Sequence, residues 1–243
     1  MNKLEQFRRD IVIANRILAH EGVVDAYGHV SARHPDNPNR YVLSRSRSPE
    51  LVTEADLMEF DLEGNVIGAD DRPPYLERFI HGAIYEARPD VMAVVHSHAE
   101  EVLPWTIVSK KLRPVVHTAS CLGGTIPNWD IRDKFGDTYH LLVVNCAQGR
   151  DLAKKLDVNN VVLMRGHGFA AAARSIKEVV RMAVYMPKNA KTYAEALKLG
   201  EVTPMSDGEL AIKGNADPDA PEWWRAWEYW ARRAGCADLL AKR

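Results

Sequence analysis

The segment "VVHSHAEE", residues 94–101, sets two imidazoles, His96 and His98, on either side of Ser97, directly after an apolar run. If the run continues as a strand through them, side chains at i and i+2 share a face and Ser97 points the other way. Two imidazoles about 7 Å apart along the backbone can then converge on one cation, at roughly 2.0–2.1 Å per zinc–nitrogen bond. An HxH pair alone does not make a site, since histidines also occur in cores and on surfaces. A third imidazole strengthens it. His167, in "VVLMRGHGFA", follows another apolar run and stands between Gly166 and Gly168. Those glycines allow a tight turn at the end of a sheet, and open α/β sheets place their sites at strand carboxyl ends. Glu77, in the first turn of an expected helix after Pro73 and Pro74, could act as general acid/base. A glutamate is also simply favoured at a helix N-terminus, and spacing alone does not choose it over Glu86, Glu100 or Glu101.

The elements that must position these groups are legible in part. Phe7, Ile11, Ala14 and Leu18 mark one face of a first helix that Gly22 can end. "YGHVSARH" and "RYVLS" read as short strands around a "PDNPN" turn, "TEAD" from Thr53 as a capping box, and "LMEFDLEGNVIG" as a hairpin. "YLERFIHGAIYEARPD" has helical spacing, closed by Pro89 and Asp90, and "VMAVV" is a buried-strand run. A helix with Pro104 near its start is expected after His98. "HLLVVN" and "NVVLMR" read as two further buried strands around a helix at "AQGRDLAKKL". "SIKE" from Ser175 opens a long helix that contains Pro187 and stops at Gly200. "SDGELAIKGNADPDAPE" is linker-like, and in the tail "EWWRAWEYWARR" Trp223, Trp227 and Trp230 fall on one helix face, which reads as packing. The pattern is an α/β mixture without clean βαβ alternation: one mixed-sheet domain with helices on both faces, residues 1–204, then a linker and Trp-rich helical tail, residues 205–243.

At 243 residues the chain can bury a proper core, and a formal net charge of −1 advertises neither a nucleic-acid nor an anionic-membrane surface. No apolar run approaches a bilayer span, and the stretch "MNKLEQFRRD" is charged and lacks the apolar core expected of a signal peptide. Three widely spaced cysteines without a CxxC give neither a disulfide framework nor a cysteine-based zinc site, so the expected compartment is the cytoplasm.

"YGHVSAR", "ERFIHGAIYEARPDVMAVVHSHA" and "RGHGFAAAARSIKEVV", in that order, make the chain resemble the class II aldolase/adducin family from about residue 5 to residue 200. The resemblance implies a three-layer αβα sandwich with a mixed, mostly antiparallel sheet, and commonly a homo-tetramer with sites between subunits. It implies that His96, His98 and His167 hold a divalent metal, zinc first among Zn, Mn, Mg, Co and Fe. It also puts Glu77 in the acid/base position of the family's aldolases.

The motifs that bind a sugar phosphate in those aldolases are altered here. Gly-Asn-x-Ser becomes Gly28-His29-Val30-Ser31, a Thr-x-Ser-Gly turn becomes "LSRSRS", and Tyr75 and Leu76 replace a serine pair. Phosphate cradles need small residues and free backbone N–H groups. The replacements, His29, Arg45, Arg47 and Tyr75, with Ser31, are candidates to line the pocket, since arginine grips carboxylates through two parallel hydrogen bonds. His29 could also be an auxiliary acid/base, and His117 is a further candidate.

The expected function is therefore a metal-dependent carbon–carbon lyase acting on an unphosphorylated small-molecule acid, by decarboxylation of a hydroxylated aromatic acid. The alternatives are an aldolase cleaving a hydroxy-keto acid, a non-haem iron oxygenase, and an adducin-like interaction domain with a dead site. A protonated Glu77 would need its acidity weakened, which a dry pocket could supply.

Overall fold

The computed structural model describes residues 2–138, 140–214 and 221–241. Asn2 caps the first helix, α1 (Lys3–His20), by accepting the Glu5 N–H, while Glu5 returns to the Asn2 N–H. There follow β1 (His29–Arg33), β2 (Arg40–Ser44), β3 (Leu57–Asp61), α2 (Arg78–Ala87), β4 (Ala93–Ser97) and a single turn α3 (Leu103–Thr106). The rest is β5 (Asn128–Trp129), α4 (Arg132–Phe135), α5 (Cys146–Leu156), β6 (Val161–Met164), β7 (Gly168–Ala173), α6 (Ile176–Leu199), α7 (Asp207–Gly214) and α8 (Pro221–Arg233).

The strands form one sheet in the order β3-β2-β1-β4-β7-β6-β5. All neighbours are antiparallel except β5 and β6. Alternation along β4 shows how the layers arise. Ala93 and Val95 enter the core under α1, α6 and α8, while Val94 enters the core under α2 and α5. The molecule is a three-layer αβα sandwich. Trp227 and Trp230 belong to the same core as α1 and α6, so the tryptophan face of α8 packs against the sheet's own helical layer. On the opposite layer α2 and α5 touch through Gly149, where an added Cβ would lie 2.4 Å from the Phe79 carbonyl oxygen. Among the described residues no helix is long and apolar enough to cross a membrane.

Three expectations need correction. "HLLVVN" is not a strand; Val143 N–H and Val144 N–H donate to the side chains of Glu77 and Gln148 rather than to a neighbouring strand. The segment expected to be linker contains α7 over Asp207–Gly214, opened by Ser206, whose hydroxyl accepts the Glu209 N–H; its residues 215–220 lie outside the described residues. Glu77 stands at the N-cap of α2, one position before the helix begins. Pro187 lies inside α6 without ending it, and Gly200 is its C-cap.

Candidate metal centre

Backbone direction at the end of β4 brings the first two imidazoles together. Ser97 Oγ turns to the α1 side and donates to the Val23 carbonyl at 2.6 Å, so His96 and His98 share the opposite face. His96 Nδ1 lies 3.0 Å from the Phe169 carbonyl oxygen on β7, to which a carbonyl partner forces it to donate. Its Nε2 is then a lone pair aimed at His98 Nε2, 2.9 Å away. His167 sits in the tight turn between β6 and β7, with Nε2 3.1 Å from His98 Nε2. The turn closes because Gly168 has no side chain: a Cβ there would lie 2.1 Å from the Ser97 carbonyl oxygen. Glu77 completes the group, its Oε2 3.3 Å from His96 Nε2 and 3.4 Å from His167 Nε2, and its Oε1 accepting Val143 N–H at 3.0 Å.

Ligand atoms of Glu77, His96, His98 and His167 all lie within 4.8 Å of one another. Nitrogen donors with their lone pairs converging, one of them fixed from behind by a backbone carbonyl, are the donor set of a divalent metal, and the residues fit one. Among the described residues His167 Nδ1 is buried without a partner, so that imidazole lacks there the rear support that His96 has. Burial and the neighbouring imidazoles push the pKa of His98 down to about 3, which keeps it neutral and ready to ligate. Burial opposes ionisation of Glu77, but His96 and His167 outweigh it and hold the carboxyl well below the usual range. The shift runs opposite to the raised value that a protonated Glu77 would need.

His29 lies opposite His96 in the β1–β4 register, with ring centroids 5.2 Å apart, and Tyr75 packs against its other side at 4.6 Å. Tyr75 in turn donates to the Arg47 carbonyl. Arg45 and Arg47 both bind Asp56, at 2.7 and 3.2 Å, and each keeps about a third of its side chain exposed (30% and 34%). Ser31 is fully buried, its hydroxyl engaged by His81 and Tyr85. His117 is not brought to the cluster. It is exposed at the start of a 3-10 turn, His117–Leu122, whose buried residues pack in the layer of α1 and α6.

Two residues near the site, His81 and Tyr85, escaped the sequence reading. Glu77, His81 and Tyr85 form an i, i+4, i+8 stripe, and four helical residues advance about 6 Å, close to the ~6.6 Å of two strand residues. The stripe therefore runs in step with His29, Ser31 and Arg33 on β1. His81 meets His29 and Ser31, and Arg33 lies over the Tyr85 ring at 4.8 Å. That spacing was the available signal.

The profile of the Class II Aldolase and Adducin N-terminal domain matches residues 9–194. The chain belongs to this family. Within it, the chain is 36% identical to decarboxylase tropJ of Talaromyces stipitatus over an alignment of 252 positions that covers 95% of each protein. It is 31% identical to a 3,4-dihydroxyphthalate decarboxylase of Arthrobacter keyseri, over 73% of each. The family fold is evident in an aldolase II superfamily protein from Pseudomonas syringae, which superposes with a TM-score of 0.79 over 98% of this chain and 96% of that one, at 19% identity.

Proposed function

We propose that the protein is a metal-dependent carbon–carbon lyase that decarboxylates a hydroxylated aromatic carboxylic acid. The observation that carries the reading is the convergence of His96, His98 and His167 with an ionised Glu77, in a chain that matches a decarboxylase along 95% of both sequences. His96, His98 and His167 would hold the metal, with zinc the first candidate, and when bound it supplies Lewis-acid stabilisation of negative charge on a substrate oxygen.

The chain's own groups account for the remainder. Glu77 Oε2, resting as a carboxylate, takes the proton of the substrate hydroxyl and later delivers it to carbon. The bond between ring and carboxyl breaks, its electron pair stays with the ring, CO2 leaves, and the carbon gains that proton. Val143 N–H holds Oε1, so that Oε2 is the oxygen that moves the proton. Tyr75, partly exposed beside His29, offers an aromatic face to a planar substrate. Arg45 and Arg47, braced by Asp56, still have exposed guanidinium surface for a carboxylate. The altered phosphate motifs support an unphosphorylated substrate. Exposed Tyr27, Leu76, Ile107 and Val108 support a homo-oligomer, a tetramer by family resemblance, and we place the protein in the cytoplasm.

The test is CO2 release by zinc-loaded protein from a panel of ortho-hydroxylated aromatic acids, with His96→Ala as control. Release by the wild type alone supports the reading. No release from any acid, with metal bound, moves the assignment to aldol cleavage of a hydroxy-keto acid.

A further inference from the structure

A line of four polar groups runs beneath the metal cluster, between α2 and β1. Tyr85 OH lies 2.8 Å from Ser31 Oγ, which lies 2.6 Å from His81 Nδ1, and His81 Nε2 lies 2.6 Å from His29 Nδ1. All four residues are buried. The 2.6 Å contact between two ring nitrogens needs a proton on one and a lone pair on the other, and neither ring pairs with a carboxylate among the described residues, so each is a neutral imidazole with a single ring proton. The four groups thus carry four protons and make three contacts, each with one donor and one acceptor.

Three arrangements satisfy all three contacts, and only one of them leaves His29 Nδ1 without a proton. In one, Tyr85 donates to Ser31, Ser31 to His81 Nδ1 and His81 Nε2–H to His29 Nδ1; the fourth proton then sits on His29 Nε2. In the other two, His29 Nδ1–H donates to His81 Nε2 and His81 Nδ1–H to Ser31 Oγ; then either Ser31 donates to Tyr85 and the fourth proton is stranded on Tyr85, or Ser31 accepts from Tyr85 as well and its own proton is stranded. Among the described residues the other group turned toward the phenol oxygen is the backbone N–H of Val94, which can only donate, and Ser31 Oγ has no contact beyond His81 and Tyr85. A buried hydroxyl proton without an acceptor is costly enough to favour the first arrangement by about tenfold or more. His29 Nε2, by contrast, is not among the buried orphan atoms. It has no partner among the described residues, on a ring that lies between Tyr75 and His96 and keeps 4% of the residue exposed.

We propose that the Tyr85–Ser31–His81 line locks His29 in its Nε2–H tautomer, so that His29 is a hydrogen-bond donor to a carboxylate or phenolate oxygen of the substrate and not a base. The proposal rests on the functional reading above only in taking His29 to border that substrate. His81, Ser31 and Tyr85 are positioning residues, acting through His29.

The test uses zinc-loaded protein labelled with 15N-histidine, with His29→Gln for assignment. Long-range 1H–15N correlations report which nitrogen carries each proton, and a 15N–15N coupling reports the bond between His81 Nε2 and His29 Nδ1. The expected result is a proton on His81 Nε2, coupled to His29 Nδ1, and a second on His29 Nε2. A shared proton resident on His29 Nδ1 overturns the proposal. Binding of 2-hydroxybenzoate supplies the second readout. His29→Ala should weaken it by about 10–100-fold, the range of a hydrogen bond to a charged group, and His29→Gln, which keeps an N–H, should recover most of the loss. Unchanged affinity in His29→Ala overturns the donor role. Neither readout needs turnover: a protein that passes both and releases no CO2 keeps this inference and loses the decarboxylase assignment.

Discussion

His29 and His96 face each other across β1 and β4, paired residue to residue, with their rings 5.2 Å apart. The register does two things at once. It places a polar ring beside the metal ligands, and it aligns Ser31, two residues on, with His81 of α2. A slip of one residue in either strand would turn one imidazole to the α1 side and leave it in an apolar core.

Glu77→Gln should retain metal at wild-type stoichiometry while lowering kcat by about 10²–10⁴-fold, the usual contribution of a positioned acid/base. The amide oxygen can still accept Val143 N–H. Metal analysis beside turnover checks this; loss of metal from the variant would make Glu77 a ligand instead of the proton carrier.

Neighbouring substitutions on β4 should separate cleanly. His96→Ala should abolish tight metal binding and activity with the protein still folded. Ser97→Ala removes the hydroxyl that bonds the Val23 carbonyl and accepts Ala99 N–H, so it should cost about 1–3 kcal/mol of stability and leave metal bound. Denaturant titration and metal content of the two variants decide it, and equal metal loss in both would contradict the alternation.

Gly168→Ala should destabilise by about 1–3 kcal/mol or more, because its Cβ would meet the Ser97 carbonyl oxygen at 2.1 Å and push β7 from β4. His167 stands next to that contact, so metal affinity should fall with stability. A variant of wild-type stability by thermal melting would count against so close an approach.

Asp56 should make stability depend on pH in the acid range. Burial opposes its ionisation, but Thr53, Arg45 and Arg47 outweigh it and hold its acidity at about 2. The folded carboxyl is thus depressed below its unfolded value of about 3.9. Its contribution is complete above that value and is lost as pH falls through about 2. Allowing for the exposure of the arginines, Asp56→Asn should cost about 1–2 kcal/mol at neutral pH and flatten the stability curve between pH 4 and 2. Unfolding curves of both proteins across that window provide the check.

Much of the scaffold could be read from short-range pattern. The apolar runs before His96 and His167 are strands, "SIKE" does open a long helix at Ser175, and Gly200 ends it. Other elements had no such signal. β7 is largely alanine, with no alternation to reveal a strand, and it forms because β4 and β6 flank it on both edges. Conversely, "HLLVVN" carries a strand's apolar run but not its hydrogen bonds, since Glu77 and Gln148 take its N–H groups.

The order of residues alone put His96 and His98 on one face, because alternation is a property of the backbone of one strand. It determined the residue types at the site, and through three ordered motifs the family. Only the tertiary structure decided that Glu77, and not Glu86, Glu100 or Glu101, reaches the imidazoles. It also tied Arg45 and Arg47 to Asp56, left His117 out, and brought in His81 and Tyr85. The reason is range. Periodicity orients side chains about their own element, whereas convergence on a site depends on the β1–β4–β7 register and on where α2 docks against it, and those are set by packing between segments far apart in the chain.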